Sequence, residues 1–321
     1  MRILLWNVHG GYSDSLTSGG HTYLYLPADA HGSGGLPRLD RPDGVDVRLT
    51  SPEELRDAPP DVVILQRPEE LDLAVAAGVR SGVDAPAVFC EHNTPRGDVP
   101  DSRHPLADRD DVTVVHVTHF NALVWDCGST RTAVVEHGIA DPGPLWTGEL
   151  AHLAFVVNEP VRRWRNTGTD LLPRFAEHPV DAFGIDADLL PAALPGSPRL
   201  SYAGNLTPTE LYAAMARRRA YLHLNRWTSL GLSLIQAMLL GLPVLVLDTT
   251  EASRAVPPGA GALSTDVEVL RREAARLLAD PDEAAARGQV ARAAALERYG
   301  LERFCRAWDA VLERAIDQHL R

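Results

Sequence analysis

The stretch Asn225-Arg226-Trp227-Thr228-Ser229-Leu230-Gly231-Leu232-Ser233-Leu234-Ile235-Gln236-Ala237-Met238-Leu239-Leu240-Gly241-Leu242-Pro243-Val244 has the residue types of an anion-binding turn. It reads as a strand end, a short polar loop, an apolar helix over 233–240, a glycine stop at Gly241 and a new strand. Backbone N–H groups that open such a helix have no partner within it, and the helix dipole favours a phosphate there. Gly231 lets a ligand approach the backbone closely. The same pattern also builds a plain crossover helix inside a core. A second concentration is Val161-Arg162-Arg163-Trp164-Arg165-Asn166-Thr167-Gly168-Thr169-Asp170. Guanidinium groups grip phosphate oxygens two at a time, although a solvated loop also carries arginines. The third is Cys90-Glu91-His92-Asn93-Thr94-Pro95, which follows an apolar run. A neutral imidazole at a strand's carboxyl end can orient a hydroxyl or accept its proton. His116 and His119 end another apolar run, and His119 is placed toward the same edge. Val8-His9-Gly10-Gly11 offers a glycine turn after the first run. No His, Cys, Asp or Glu set has metal-ligand spacing, and Arg217-Arg218-Arg219 reads as a solvated helix end.

These groups need a scaffold, and the apolar runs supply one. Strands are expected at 3–8, 61–65, 87–90, 112–117 and 132–135, then at 152–157, 180–184, 220–224 and 244–247. Helices are expected at 170–176, 209–218 and 233–240, then from 267 onward with a turn at Asp280-Pro281, and from about 301 to the end. Asp141-Pro142-Gly143-Pro144 marks a boundary near the midpoint. The reading is α/β, two doubly wound parallel sheets: a domain over 1–145, a second over 146–300, and a helix over 301–321 that packs back toward the first.

Composition narrows the class. A chain of 321 residues with 45% hydrophobic and 23% charged residues is an ordinary globular protein large enough for two cores. Its formal charge of −12 argues against a nucleic-acid partner or an anionic membrane surface. The amino-terminal apolar run is too short for a signal peptide, and no run approaches the roughly 18–20 residues of a membrane span. Three cysteines far from one another suggest no disulfide framework. The expectation is a soluble cytoplasmic chain. Every basic residue is arginine, as in coding from a GC-rich, actinobacterial kind of genome.

Gly231, Leu232, Ala237, Met238, Gly241, Pro243 and Val244 fall on the pattern Glu-Gly-Phe-Gly-Leu-x-x-x-Glu-Ala-Met-x-x-Gly-x-Pro-Val. In this the chain resembles the nucleotide-sugar-dependent glycosyltransferases of the GT-B fold, in their family 4 group. The likeness extends from Ser201-Tyr202-Ala203-Gly204 through Pro258-Gly259-Ala260-Gly261 to the helical segment that ends in Arg298-Tyr299-Gly300.

The resemblance implies a GT-B architecture, two Rossmann-like domains facing each other across a cleft that closes on the donor. It also implies transfer of a hexosyl or deoxysugar unit from a nucleoside-diphosphate sugar to a small-molecule, lipid or glycan acceptor. Retention of configuration is implied, with no metal and no cofactor. Carried over residue by residue, Arg162 and Gly168 fall on the family's arginine and on the glycine of its Lys-Gly pair, with Thr167 at the lysine and Arg165 or Arg163 as substitute cations. Thr228 and Gln236 fall on its two glutamates, the second of which binds ribose. The donor set is therefore Arg162, Arg165, Thr167, Gly168, Thr228, Ser229, Leu230, Gly231, Leu232 and Gln236. The acceptor set is Gly10, Gly11, His92, Asn93 and His119, with His92 and Arg162 as catalytic residues. The alternative is an inactive nucleotide-sugar-binding partner of another transferase, and an epimerase on the same fold is a third reading.

Overall fold

The computed structural model describes residues 1–8, 10–26 and 45–320. Two parallel sheets organise them. The first holds β1 (Arg2–Leu5), β2 (Thr22–Tyr25), β3 (Asp46–Leu49), β4 (Val62–Leu65), β5 (Ala87–Glu91), β6 (Val112–His116) and β7 (Arg131–Val134), in the order β3-β2-β1-β4-β5-β6-β7. The second holds β8 (Leu150–Val156), β9 (Val180–Phe183), β10 (Leu200–Gly204), β11 (Arg218–His223), β12 (Val244–Leu247) and β13 (Gly261–Ser264), in the order β10-β9-β8-β11-β12-β13. The chain divides into two compact units, Met1–Ala140 with Leu301–Arg321, and Asp141–Gly300. No helix among the described residues is long and apolar enough to cross a membrane.

Central strands are apolar throughout because helices cover both faces of the sheet. β4 reads Val-Val-Ile-Leu and β12 Val-Leu-Val-Leu, each buried at every residue. Alternate residues serve opposite faces. Ile3, Leu5, Val62, Ile64 and Val88 enter one cluster of the first unit, and Leu4, Val63, Leu65, Phe89 and Val114 the other. The helix Leu301–His319 covers the first of these faces with Phe304, Trp308, Val311, Leu312 and Ala315. Gly138 makes room for it, since a Cβ there would stand 2.2 Å from Phe304 Cβ.

The structure adds strands β2, β3, β10 and β13 to those read from the sequence. Three of them, β3, β10 and β13, are outermost, where one flank is unpaired and polar residues such as Asp46, Arg48 and Ser201 break any apolar run. The segment expected as a helix over 170–176 is a 3-10 helix, Thr169–Phe175, with Pro173 inside it. Proline has no N–H to continue an α-helical ladder.

Of Arg217-Arg218-Arg219, only the exposed Arg217 sits at the helix end. The helix stops at Ala216, and Arg218 starts β11 and reaches the buried Asp181 of β9 at 2.8 Å. Asp181 also accepts hydrogen bonds from Ser201 Oγ at 2.6 Å and His152 Nδ1 at 3.0 Å. Arg218 lies over the Phe183 ring, 5.0 Å from its centroid. Burial alone would raise the Asp181 pKa, but bonds from Ser201, His152 and Arg218 hold it below its ordinary value. A depressed carboxyl stabilises the fold above its unfolded pKa of about 3.9, and that contribution is lost as pH falls through the folded value. Asp181→Asn leaves Arg218 without a counter-charge and should cost about 3–5 kcal/mol at pH 7. Urea unfolding of both proteins as pH is lowered should show the gap closing; a constant gap would remove the ion pair as its cause.

Candidate functional site

In the second unit, strand order reverses at β8, which has β9 on one side and β11 on the other. Ligands of open α/β sheets bind beside the carboxyl ends of strands at such a point. The loops leaving β8 and β11 carry Arg162, Arg165, Thr167 and Gly168 on one side and Thr228, Ser229, Leu230 and Gly231 on the other. Leu232 and Gln236 follow on the helix Leu232–Leu240.

The two loops are fastened together. Arg226 donates its backbone N–H to the Asn166 carbonyl at 2.8 Å. Its guanidinium holds Asp170 at 2.5 and 2.9 Å and the Arg165 carbonyl at 3.0 Å. Thr249, beyond β12, donates to the Asn225 carbonyl at 2.7 Å. Gly168 has φ +70°, and a Cβ there would lie 2.0 Å from the Leu224 carbonyl oxygen. Only glycine fits so close a pass in that conformation.

The arginines differ in their engagement. Arg162 is exposed and pairs with Glu159 three residues earlier. Arg165 is exposed and lies 3.1 Å from Asp170. Arg163 is half-buried and, among the described residues, makes no ion pair. Burial, then the neighbouring Arg162 charge, holds its pKa below the usual arginine value. Thr167 is 1% exposed, its hydroxyl 2.9 Å from Thr169 Oγ1 and 3.3 Å from the Trp164 carbonyl. It is turned into the loop and brings no charge to the lysine position.

The helix Leu232–Leu240 begins at Gly231 without a side-chain cap. Beneath Gly231 lies His223, so close that a Cβ would stand 2.6 Å from its Cε1. His223 lies 3.4 Å from the Tyr221 hydroxyl through Nδ1 and 3.4 Å from Asn225 Nδ2 through Nε2. Burial lowers its pKa to about 4, which keeps the ring neutral near pH 7. The sequence pattern does not single out this histidine, although it too ends a strand. The Tyr221 hydroxyl donates to Ser233 Oγ at 2.8 Å in the helix's first turn. Gln236 donates Nε2–H to the Tyr212 hydroxyl at 3.1 Å, which presents its amide oxygen as an acceptor. Thr228 is half-buried, and Ser229 and Leu230 are buried.

In the first unit the order reverses between β1 and β4. Gly10 and Gly11 open the helix Gly10–Leu16 and are exposed, while His9 lies outside the described residues. His92 follows β5, and its Nε2 is 2.9 Å from Gln66 Oε1. Tyr12 meets the His92 ring edge-on, with centroids 4.5 Å apart. Asn93 is exposed and donates its N–H to Glu91 Oε1 at 2.6 Å. Its carbonyl accepts Trp125 Nε1–H at 2.8 Å and Asn121 Nδ2–H at 3.3 Å. Glu91 also lies 3.1 Å from His104 Nε2, and Leu106 donates its N–H to His104 Nδ1 at 3.1 Å. His119 is the exposed first residue of the helix His119–Val124, capped by Thr118. His116 is buried in β6, and burial, then the neighbouring His104, brings its pKa to about 4. Glu91, His104 and Gln66 do not stand out in the sequence; a carboxylate beside His92 is the available signal for the first.

Solved structures share this architecture over its full length. A sucrose-phosphate synthase from Thermosynechococcus elongatus superposes with a TM-score of 0.71 at 14% identity, covering 98% of each chain. HepE of Anabaena in complex with UDP-glucose gives 0.69 at 15% identity, covering 98% of this chain and all of that one. The fold is GT-B. TarM of S. aureus, in complex with UDP among other ligands, matches with a TM-score of 0.63 at 12% identity over 78% of this chain. This GT-B chain spans 55% of the TarM chain. Residues 170–309, less than half of the sequence, match a family described as glycosyl transferase-like. No curated protein matches it.

Gly168→Ala tests the fastening of the two loops. The strain at positive φ and the collision with Leu224 should cost about 1–3 kcal/mol in urea unfolding. An unchanged midpoint would mean that the loop is free to move away from β11.

Proposed function

We propose that this GT-B chain transfers a sugar from a nucleoside-diphosphate sugar to an acceptor hydroxyl, with retention and without a bound metal. The observation that carries the reading is the second unit's reversal point, where an arginine-bearing loop is fastened beside the uncapped start of the helix Leu232–Leu240. Arg162, Arg165 and the amides from Ser229 to Leu232 stabilise the charge that develops on the leaving diphosphate, each donor worth on the order of 3 kcal/mol. Arg163, which has no ion-pair partner among the described residues, adds to them. Gly168 brings the loop close, Thr167 stabilises its turn, and Thr228 lies toward the donor sugar. Gln236 accepts a ribose hydroxyl's hydrogen bond. In the first unit, His92 orients the acceptor hydroxyl, and Gly10, Gly11, Asn93 and His119 line its place. The UDP and UDP-glucose bound by HepE and the UDP bound by TarM support a uridine-diphosphate sugar as the first donor to test.

The charge lost at Thr167, Thr228 and Gln236 favours a second reading, a nucleotide-sugar-binding partner without turnover. Calorimetric titration with UDP, GDP, dTDP and their sugar conjugates should find one nucleotide that binds. Arg162→Ala and Arg163→Ala should each weaken it about tenfold or more, on the order of 1.4 kcal/mol; unchanged affinity in both would displace the diphosphate from this loop. Gln236→Glu should preserve or tighten binding. Transfer that disappears in His92→Ala supports the enzyme, and binding without transfer supports the partner.

A further inference from the structure

Gln66 has no role in the reading above, yet the loops after β1, β4 and β5 meet through it. It is 4% exposed. Its backbone N–H donates to Glu70 Oε2 at 2.6 Å, and Glu70, fully buried, also receives Arg67 Nε–H at 3.0 Å. Its side-chain amide lies 2.8 Å from the Trp6 carbonyl oxygen and 2.9 Å from His92 Nε2.

The chemistry of these groups fixes the direction of every bond. A backbone carbonyl oxygen only accepts, so the amide nitrogen of Gln66 must face Trp6. The amide oxygen then faces His92, and it too only accepts. His92 Nε2 must therefore carry a proton, and in the neutral ring Nδ1 is the acceptor nitrogen. Tyr12 holds the ring from its edge, and its hydroxyl is itself held by Trp308 Nε1–H at 3.2 Å and Cys90 Sγ at 3.4 Å. Had a donor stood where Gln66 Oε1 stands, the opposite tautomer would follow.

We propose that Gln66 is the positioning residue of His92: it holds the ring as the Nε2–H tautomer and makes Nδ1 the atom that accepts the acceptor hydroxyl's hydrogen bond. The inference rests on the reading of His92 as the acceptor-orienting residue.

Selective nitrogen-15 labelling of histidine in the full chain tests it, with the His92 signals assigned by their absence in His92→Gln. Wild-type protein, with His92 neutral, should show the Nε2–H pattern. Gln66→Met keeps the volume but cannot accept, and should give a mixture of tautomers. Gln66→Glu keeps an acceptor toward His92 but loses the donor to the Trp6 carbonyl, and should favour the Nε2–H form more than Gln66→Met does. With a nucleotide-sugar donor, Gln66→Met should lower kcat about 10- to 100-fold without a change in donor KM, and Gln66→Glu should recover part of the loss. An Nδ1–H ring in the wild type overturns the proposal even if Gln66→Met does not fold. So does a ring and a kcat indifferent to Gln66→Met. A ring held as stated in a chain that transfers no sugar upholds the hold of Gln66 on His92 and removes the transferase reading instead.

Discussion

A parallel sheet sends all its strands the same way, and everything else in this protein follows from that constraint. Each strand must be reached by a crossover, so helices cover both faces and the loops at the carboxyl ends gather on one edge. Where strand order reverses, two of those loops part and leave a place for a ligand. The described residues hold two such reversals, beside β1 and beside β8. Around them stand Gln66 and His92 in one unit, and the arginine loop and the Gly231 turn in the other.

Glycine and hydrogen bonding then set how finely each place is made. At Gly168 and Gly231 the backbone passes so close to Leu224, just beyond β11, and to His223 that a methyl group has no space. Arg226 and Asp170 fasten the two loops that leave β8 and β11, an ion pair whose two side chains are both partly shielded from water. In the first unit the fastening is neutral and directional, running from the Trp6 carbonyl through Gln66 to His92. One site is thus shaped largely by charge and the other by hydrogen-bond direction.

Much of this was legible in the amino-acid order. The central strands announced themselves because burial on both faces demands unbroken apolar runs, as in Val62-Val63-Ile64-Leu65. Gly241 was readable as a helix stop and takes φ +93°. The edge strands β3, β10 and β13 were not legible, since a strand with one open flank tolerates Asp, Arg and Ser. Arg218 misled for a related reason: three arginines in a row suggest solvent, and only the tertiary fold shows Asp181 waiting on β9. Gln66 was invisible because its meaning lies in two partners, one 60 positions earlier and one 26 later.

The helix Leu301–His319 covers a face built from residues near the chain's beginning, such as Ile3, Val62 and Val88. During synthesis from the amino end, that face lacks this cover until residues 301–319 have been added. The unit Asp141–Gly300 is complete in the growing chain before this happens. The first unit therefore gains its full core only after every residue of the second has been added to the chain.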